Sequence, residues 1–319
     1  MEHNELKTAP TFVLLACCTF RRPKLFSYCL ESLSKIKIPE GIKAEILVID
    51  NDENGSARRT IEKFEDKIQI KINYFIESKR GLSNARNRLI SEAVKLNATH
   101  VLMFDDDIIL PEHQLENYLK YYESNKEAVI LTAASYTKFT EKVPKYIEKN
   151  DLFKTSTTKK TGQKRKDCAA GNVFFPTTLM TKLGLKFSDE YVFMGGEDGK
   201  FFREASNRGA TIVWCNEGHN FEINDTDKAT LEWILKRSYY NGFSAAFLKT
   251  KDMPVPDRLT CAAKYNACFV LNCMIFPFSI IAGPTGFVNM LGFCAKSLGR
   301  LVGSTSSTPL NHYEIISGK

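Results

Sequence analysis

Apolar residues from Phe12 to Cys18 form an unbroken run that stops at Thr19-Phe20-Arg21-Arg22-Pro23, and Leu25, Cys29, Leu33 and Ile36 then recur at helical spacing between Lys24 and Lys37. A short continuous run bounded by turn residues predicts a strand buried on both faces, followed by a loop and an amphipathic helix. The unit repeats. Ile46–Ile49 leads through Asp50-Asn51-Asp52-Glu53-Asn54-Gly55 to a helix near Ala57–Lys67, and Ile72–Ile76 leads through Gly81 to a helix near Asn84–Leu96. A fourth strand, Val101–Phe104, ends in Asp105-Asp106-Asp107.

Strands alternating with helices in units this short predict a mostly parallel sheet with helices on both faces, whose ligands bind at the carboxyl ends of the strands. Thr19–Arg22, Asp50–Asp52 and Asp105–Asp107 all fall at such ends, so a single fold hypothesis gathers them into one crevice. Farther on, the spacing predicts a strand at Asn172–Phe175, a helix at Asp198–Arg208, a strand at Thr211–Cys215 and a long helix from about Asp227 to Lys249. Between Lys154 and Lys166 the chain is polar and basic without periodicity, which reads as a loop.

The last segment differs in character. Ala267–Gly283 is almost wholly apolar, at the lower length limit for crossing a bilayer, and contains Asn272 and Pro277. After Pro284, residues Phe287, Met290, Leu291, Cys294, Leu298 and Leu301 recur at helical spacing with Lys296 and Arg300 on another face, the pattern of an interfacial helix. The alternative is a helical pair packed as ordinary core.

Composition narrows the class. With 319 residues and 43% hydrophobic content the chain can form a substantial core, which excludes global disorder. The net charge of +7 comes from dispersed residues, and neither a basic recognition helix nor an aromatic RNA-binding signature accompanies it, so nucleic acid is not an expected partner. Nine cysteines lack metal-finger spacing, and Cys17, Cys18, Cys268 and Cys273 sit in apolar runs, which favours a reducing compartment. Glu2 and Glu5 precede the first apolar run without the basic start of a secretory signal.

Three aspartates in succession place like charges side by side, a costly arrangement unless a cation neutralises them. Hard cations such as Mg²⁺ and Mn²⁺ prefer carboxylate oxygen and fill their remaining positions with water and phosphate. In an extended segment Asp105 and Asp107 would share one side, with Asp106 pointing elsewhere. A second acidic pair, Glu197-Asp198, follows Gly195-Gly196 at the start of a helix, where a carboxylate could accept the proton of an attacking hydroxyl.

Cys18-Thr19-Phe20-Arg21-Arg22-Pro23, Val48-Ile49-Asp50-Asn51, Gly81-Leu82-Ser83-Asn84-Ala85-Arg86-Asn87, Phe104-Asp105-Asp106-Asp107 and Gly195-Gly196-Glu197-Asp198 occur in the order and rough spacing of family 2 glycosyltransferases. The resemblance runs from about Thr11 to Gly242. The start motif and Glu222, Trp233, Arg237 and Gly242 resemble bacterial exopolysaccharide transferases of the succinoglycan glucosyltransferase kind. The resemblance implies a GT-A fold: a Rossmann-like, mostly parallel sheet with helices on both faces, here with C-terminal membrane-associated helices. It implies a transferase domain over residues 1–250, its nucleotide-binding half at about 11–110 and its acceptor half at about 111–250, and a C-terminal segment over 251–319.

By the same resemblance, Thr19, Phe20, Arg22 and Asp50 line the nucleotide pocket, with Asp50 on the uracil ring, and Gly81 and Arg86 lie beside the ribose and diphosphate. Asp105 and Asp107 match the metal-binding motif, with Asp106 between them at the donor; the last aspartate is the direct ligand of Mn²⁺ or Mg²⁺. Asp198, next to Glu197, matches the catalytic base. Glu222 aligns better than His219 with a position that helps hold metal or diphosphate. The expected activity is inverting transfer of a hexose from a UDP-sugar to a polysaccharide or lipid-linked acceptor, at the cytoplasmic face of the inner membrane. A sugar nucleotidyltransferase is disfavoured because no glycine follows the first strand, and a non-catalytic, membrane-docked assembly component is the competing reading.

Overall fold

A computed structural model describes residues 11–125, 130–155, 158–188, 190 and 195–310. Glu2 and Glu5, two residues of the basic loop, and residues 311–319 of the C-terminal segment lie outside the described residues. The chain begins β1 (Phe12–Thr19), α1 (Pro23–Leu33), β2 (Lys43–Asp50), α2 (Arg58–Glu62), β3 (Ile72–Ile76), α3 (Leu82–Lys95), β4 (His100–Asp105) and β5 (Ile108–Ile109). It continues with α4 (Gln114–Ser124), β6 (Ile130–Thr132), β7 (Ser135–Phe139), α5 (Lys145–Glu148), β8 (Lys164–Arg165), β9 (Asn172–Pro176), α6 (Thr177–Leu183) and α7 (Glu197–Asn207). Then follow β10 (Ile212–Trp214), β11 (Asn220–Asn224), α8 (Leu231–Thr250), α9 (Val255–Ile275) and α10 (Gly283–Thr305).

Two compact units emerge. One comprises Met1–Ser135, Ser156–Asp189 and Glu197–Glu222; the other comprises Tyr136–Thr155, Glu190–Gly196 and Ile223–Lys319. The helix α8, on the transferase side of the expected boundary at residue 250, clusters with the C-terminal helices.

The first unit is built on an eight-stranded sheet in the order β3-β2-β1-β4-β9-β6-β10-β8. β1 pairs in parallel with β2 and β4, and β2 with β3, while β9 runs antiparallel between β4 and β6. The alternation of side chains explains why β1 reads as continuously apolar. Val13, Leu15 and Cys17 pack with Phe26 and Leu30 of α1 in one core, whereas Leu14 and Ala16 pack with Ala85 and Leu89 of α3 in the other. Register then aligns the strand tips: Thr19 lies opposite Asp50, and Cys18 opposite Asp105. The stretch expected as one basic loop contains β8, which pairs antiparallel with β10.

In the second unit the C-terminal apolar run is not one helix. α9 ends at Ile275, a 3₁₀ segment covers Phe276–Ala282, and α10 starts at Gly283 with φ of 70°. Pro277 lacks the amide that an α-helix needs there, and glycine tolerates the left-handed turn that follows. The face that α10 buries is not its apolar stripe, which speaks against the alternative of an ordinary core pair. It buries Val288, Gly292, Ser297, Gly299, Gly303 and Ser304, leaving Phe287, Met290, Leu291, Cys294 and Leu301 half-buried and Leu298 exposed.

Candidate active site

The turn after β1 aims a guanidinium at the aspartates. Arg21 takes a left-handed conformation (φ 51°), its Nε and Nη2 donating to Asp52 Oδ2 and Oδ1 at 3.0 and 3.2 Å. The next residue, Arg22, turns to the tip of β4. Its Nη1 donates to Asp107 Oδ2 at 3.1 Å and its Nη2 to Asp106 Oδ1. Thr19 Oγ1 donates to Asp106 Oδ2 at 2.7 Å. Phe20 lies beneath two guanidinium groups, those of Arg21 and Arg80, at 5.1 and 4.9 Å from its ring centre.

The extended segment ends at Asp105, and Asp106-Asp107 form a turn before β5. Strand alternation therefore does not sort the trio, because the turn rotates the side chains independently. Asp105 keeps 42% of its side chain exposed, whereas Asp106 is fully buried and Asp107 nearly so. Burial pushes the Asp106 carboxyl up to about 6, with Arg22 opposing it. Burial raises Asp105 as well, against the pull of Arg86.

The resemblance places Arg86 beside the diphosphate; the structure turns it inward, 3% exposed, among carboxylates. Its Nη1 donates to Glu197 Oε1 and Asp198 Oδ1, each at 2.7 Å, and its Nη2 to Asp105 Oδ1 at 3.1 Å. The helix α3 that carries it starts at Gly81, whose φ of 124° suits only glycine. Gly81 N donates to Asn51 Oδ1 at 2.6 Å, and Asn51 Nδ2 donates to the carbonyls of Glu77 and Lys79. Gly81 thus sets the loop whose helix delivers Arg86.

Asp198 also accepts from Ala170 N at 3.0 Å. Burial alone would raise its pKa; the Arg86 guanidinium reverses this and holds the carboxyl below its ordinary value. Burial and the Asp198 charge push Glu197 up to about 8. Both shifts run in the direction that leaves the negative charge on Asp198 rather than Glu197, as a proton acceptor requires.

Asp50 turns its carboxylate into the fold at the end of β2. It is fully buried, its Oδ2 accepting from Ala57 N (2.7 Å) and Tyr74 Oη (2.9 Å) and its Oδ1 from Asp52 N (3.0 Å) and Ser56 Oγ (3.3 Å). In this structure its carboxylate organises the loop after β2. Glu222 lies opposite Ile108 in the β5–β11 pairing, one residue beyond Asp107, whereas the His219 ring stands edge-on to Phe221.

Sequence reasoning missed two supports. A Cβ at Gly171 would lie 2.9 Å from Asp105 Oδ2, so any larger residue there would push that carboxylate aside. Beside it, buried Asn172 accepts from Gln114 Nε2 and Tyr118 Oη and donates to the carbonyls of Ala134 and Gly218. A polar residue opening an apolar strand was the one available signal, and its partners are too distant in sequence to infer.

The model of glycosyl transferase family 2 matches residues 15–184, more than half of the chain. The chain belongs to that family. It is 25% identical over 228 residues to the succinoglycan biosynthesis protein ExoM of Rhizobium meliloti (strain 1021), covering 72% of each chain. Among solved structures it is similar to the mannosyltransferase PcManGT from Pyrobaculum calidifontis in complex with GDP-Man and Mn²⁺ (TM-score 0.56, 14% identity, covering 92% of this chain and 88% of that one). It is likewise similar to S. aureus TarS 1–349 in complex with UDP-GlcNAc (TM-score 0.52, 12% identity, covering 92% and 91%), and it spans 55% of the longer TarS chain. The fold of this glycosyltransferase is GT-A, with the mostly parallel sheet and long apolar C-terminal region that its sequence predicts.

Proposed function

We propose that the protein is an inverting glycosyltransferase that moves a hexose from a UDP-sugar to a polysaccharide or lipid-linked oligosaccharide at the cytoplasmic face of a membrane, with Asp198 as the base. One observation carries the reading: the Arg86 guanidinium ties Asp105, at the tip of β4, to Asp198, at the start of α7. A donor-side carboxylate and a base thereby share one buried cation and a fixed geometry. Asp198 accepts the proton of the acceptor hydroxyl as its oxygen bonds to the anomeric carbon. The bond from that carbon to the diphosphate breaks on the opposite side, which inverts the centre. Arg86 keeps Asp198 ionised and oriented, with Glu197 the carboxyl of the pair that takes up a proton first.

Among the described residues no group of three His, Cys, Asp or Glu side chains is gathered to enclose a metal. The donor chemistry nevertheless fits a hard divalent ion, since half-exposed Asp105 and nearby Asp107 offer carboxylate oxygens, and such ions take one or two of these plus substrate phosphate. Asp107 and Asp105 would hold Mn²⁺ or Mg²⁺. When bound, the ion supplies positive charge against the diphosphate leaving group. Arg22, already on Asp106 and Asp107, adds a fixed positive charge at the same place.

The reading is tested by incubating the purified protein with UDP-glucose, UDP-GlcNAc and GDP-mannose, with Mn²⁺, Mg²⁺ or EDTA, and measuring free nucleotide diphosphate. Release from at least one UDP-sugar that disappears in EDTA is expected. Failure to bind or cleave any nucleotide sugar would overturn it and leave a non-catalytic assembly component.

A further inference from the structure

α9 and α10 carry large apolar residues on the outside, and the face that α10 buries is mostly small residues. A Cβ at Gly299 would lie 2.0 Å from the Tyr239 carbonyl oxygen, and one at Gly303 would lie 2.3 Å from that of Phe243, so the α10 backbone rests directly on α8. α9 joins them along a narrow stripe in which Ala262 is its one buried residue. The large apolar residues face away: Met274 is 66% exposed, Phe278 68%, Ile280 66% and Ile281 87%. Small residues at helix contacts and large apolar residues outward is the arrangement of helices packed in lipid.

No residue from Tyr265 through Ala295 carries a charge, and lysines bracket the stretch at 264 and 296. Within it the chain doubles back. Asn272 Nδ2 donates to Ser297 Oγ at 2.7 Å, and the Phe276 and Phe287 rings lie 5.1 Å apart. The uncharged arms, Tyr265–Ile275 and Gly283–Ala295, are helical and so about 16 and about 20 Å long. A bilayer's hydrocarbon core is about 30 Å thick, so each arm reaches little beyond one leaflet. By length and composition alone Val255–Thr305 could cross a membrane, but the turn at Pro277 and Gly283 returns the chain to the side it came from.

Resting on the reading that this transferase works at a membrane, we infer that α9 and α10 form a re-entrant hairpin whose tip, Phe276–Ala282, is buried in one leaflet of an anionic phospholipid bilayer without crossing it. Lys264, Lys296 and Arg300 then lie toward the headgroups, where long basic side chains extend to phosphate. A second copy of the chain fits less well. The apolar skin continues from exposed Val270 and Leu271 of α9 over Phe278, Ile280 and Ile281 at the tip to Phe293 of α10, and a flat dimer contact covers one face, whereas lipid covers all of them.

The test uses full-length protein tagged at both ends and sealed vesicles of phosphatidylcholine and phosphatidylglycerol. The parent protein should float with the vesicles, and protease added outside should remove both tags. Combining Phe278→Glu, Ile280→Glu and Ile281→Glu should lower the bound fraction by about a hundredfold or more, with an unchanged circular dichroism spectrum and unchanged nucleotide release in solution. Protection of the C-terminal tag would show a crossing and overturn the hairpin. A parent that ignores vesicles, or that forms a dimer the triple variant breaks, would overturn the lipid assignment while leaving the transferase reading intact. Nucleotide release absent from parent and variant alike, with vesicle binding retained, would strike the transferase reading alone.

Discussion

The two units treat their large apolar residues differently. In the first, Phe26, Leu14, Phe174 and Phe202 fill the space between sheet and helices, and the buried carboxylates Asp50, Asp106 and Asp107 gather at the strand tips. In the second, α8 buries Ile234, Phe243 and Phe247, but the face that α10 buries is mostly glycine and serine, and Met274, Phe278, Ile280 and Ile281 face outward. Water drives the first arrangement, because burying large apolar surface is its largest favourable contribution. In the second, the sequence secures close backbone approach as well, at Gly299 and Gly303. Helical spacing of apolar residues therefore marks the inward face in one region and the outward face in the other.

The contrast predicts where substitutions hurt. The largest effect falls on chemistry: Asp198→Asn should lower transfer by about 10²- to 10⁴-fold while donor affinity, measured by titration, is retained. Turnover equal to the parent's would remove Asp198 from the reaction. Next comes Arg86→Met, which leaves Asp105, Glu197 and Asp198 without their shared cation. Stripping one partner from a buried ionic cluster costs about 3–5 kcal/mol, to be read from chemical denaturation. A loss below about 1 kcal/mol would mean that the three carboxylates are solvated after all.

Most of the first unit was legible because each signal was local. Runs such as Phe12–Cys18 and Ile72–Ile76 matched strands nearly residue for residue, and parallel pairing then forced their tips together. Side-chain direction at those tips was not legible. The turn at Asp106-Asp107 replaced the expected strand geometry, Asp50 was occupied by Tyr74 and the Ala57 amide, and Arg86 pointed to carboxylates more than a hundred residues away. In the second unit the periodicity of α10 was visible, but the pattern could not say whether its apolar face met protein or something else.

A third test separates cores by pH. His100 opens β4 with its ring stacked on Phe174 (5.1 Å) and edge-on to Tyr122 (4.9 Å), and burial lowers its pKa from 6.5 to about 4. The unfolded chain takes up a proton as pH falls through 6.5, and the folded chain does not until about 4. Stability is therefore full above pH 6.5 and declines across that window, by on the order of 3 kcal/mol from this residue. In His100→Phe the decline between those limits should shrink by that amount in urea titrations; parallel curves for parent and variant would assign it to other groups.

The smallest expected effect is the most discriminating. Gly299→Ala adds a single methyl, but its carbon would stand 2.0 Å from the Tyr239 carbonyl oxygen, which belongs to helix backbone and cannot rotate away. α8 and α10 must separate, at a cost of about 1–3 kcal/mol by analogy with overpacked cores. Gly292→Ala, on the same face, would meet Ser238 Oγ at 3.2 Å, a side-chain atom that can turn aside, and the methyl gains some helix propensity. Thermal unfolding in detergent should lower the midpoint for the first variant and leave the second near the parent. If the two behave alike, the helices are joined by general apolar packing, and the distinction between an apolar interior in one unit and an apolar exterior in the other disappears.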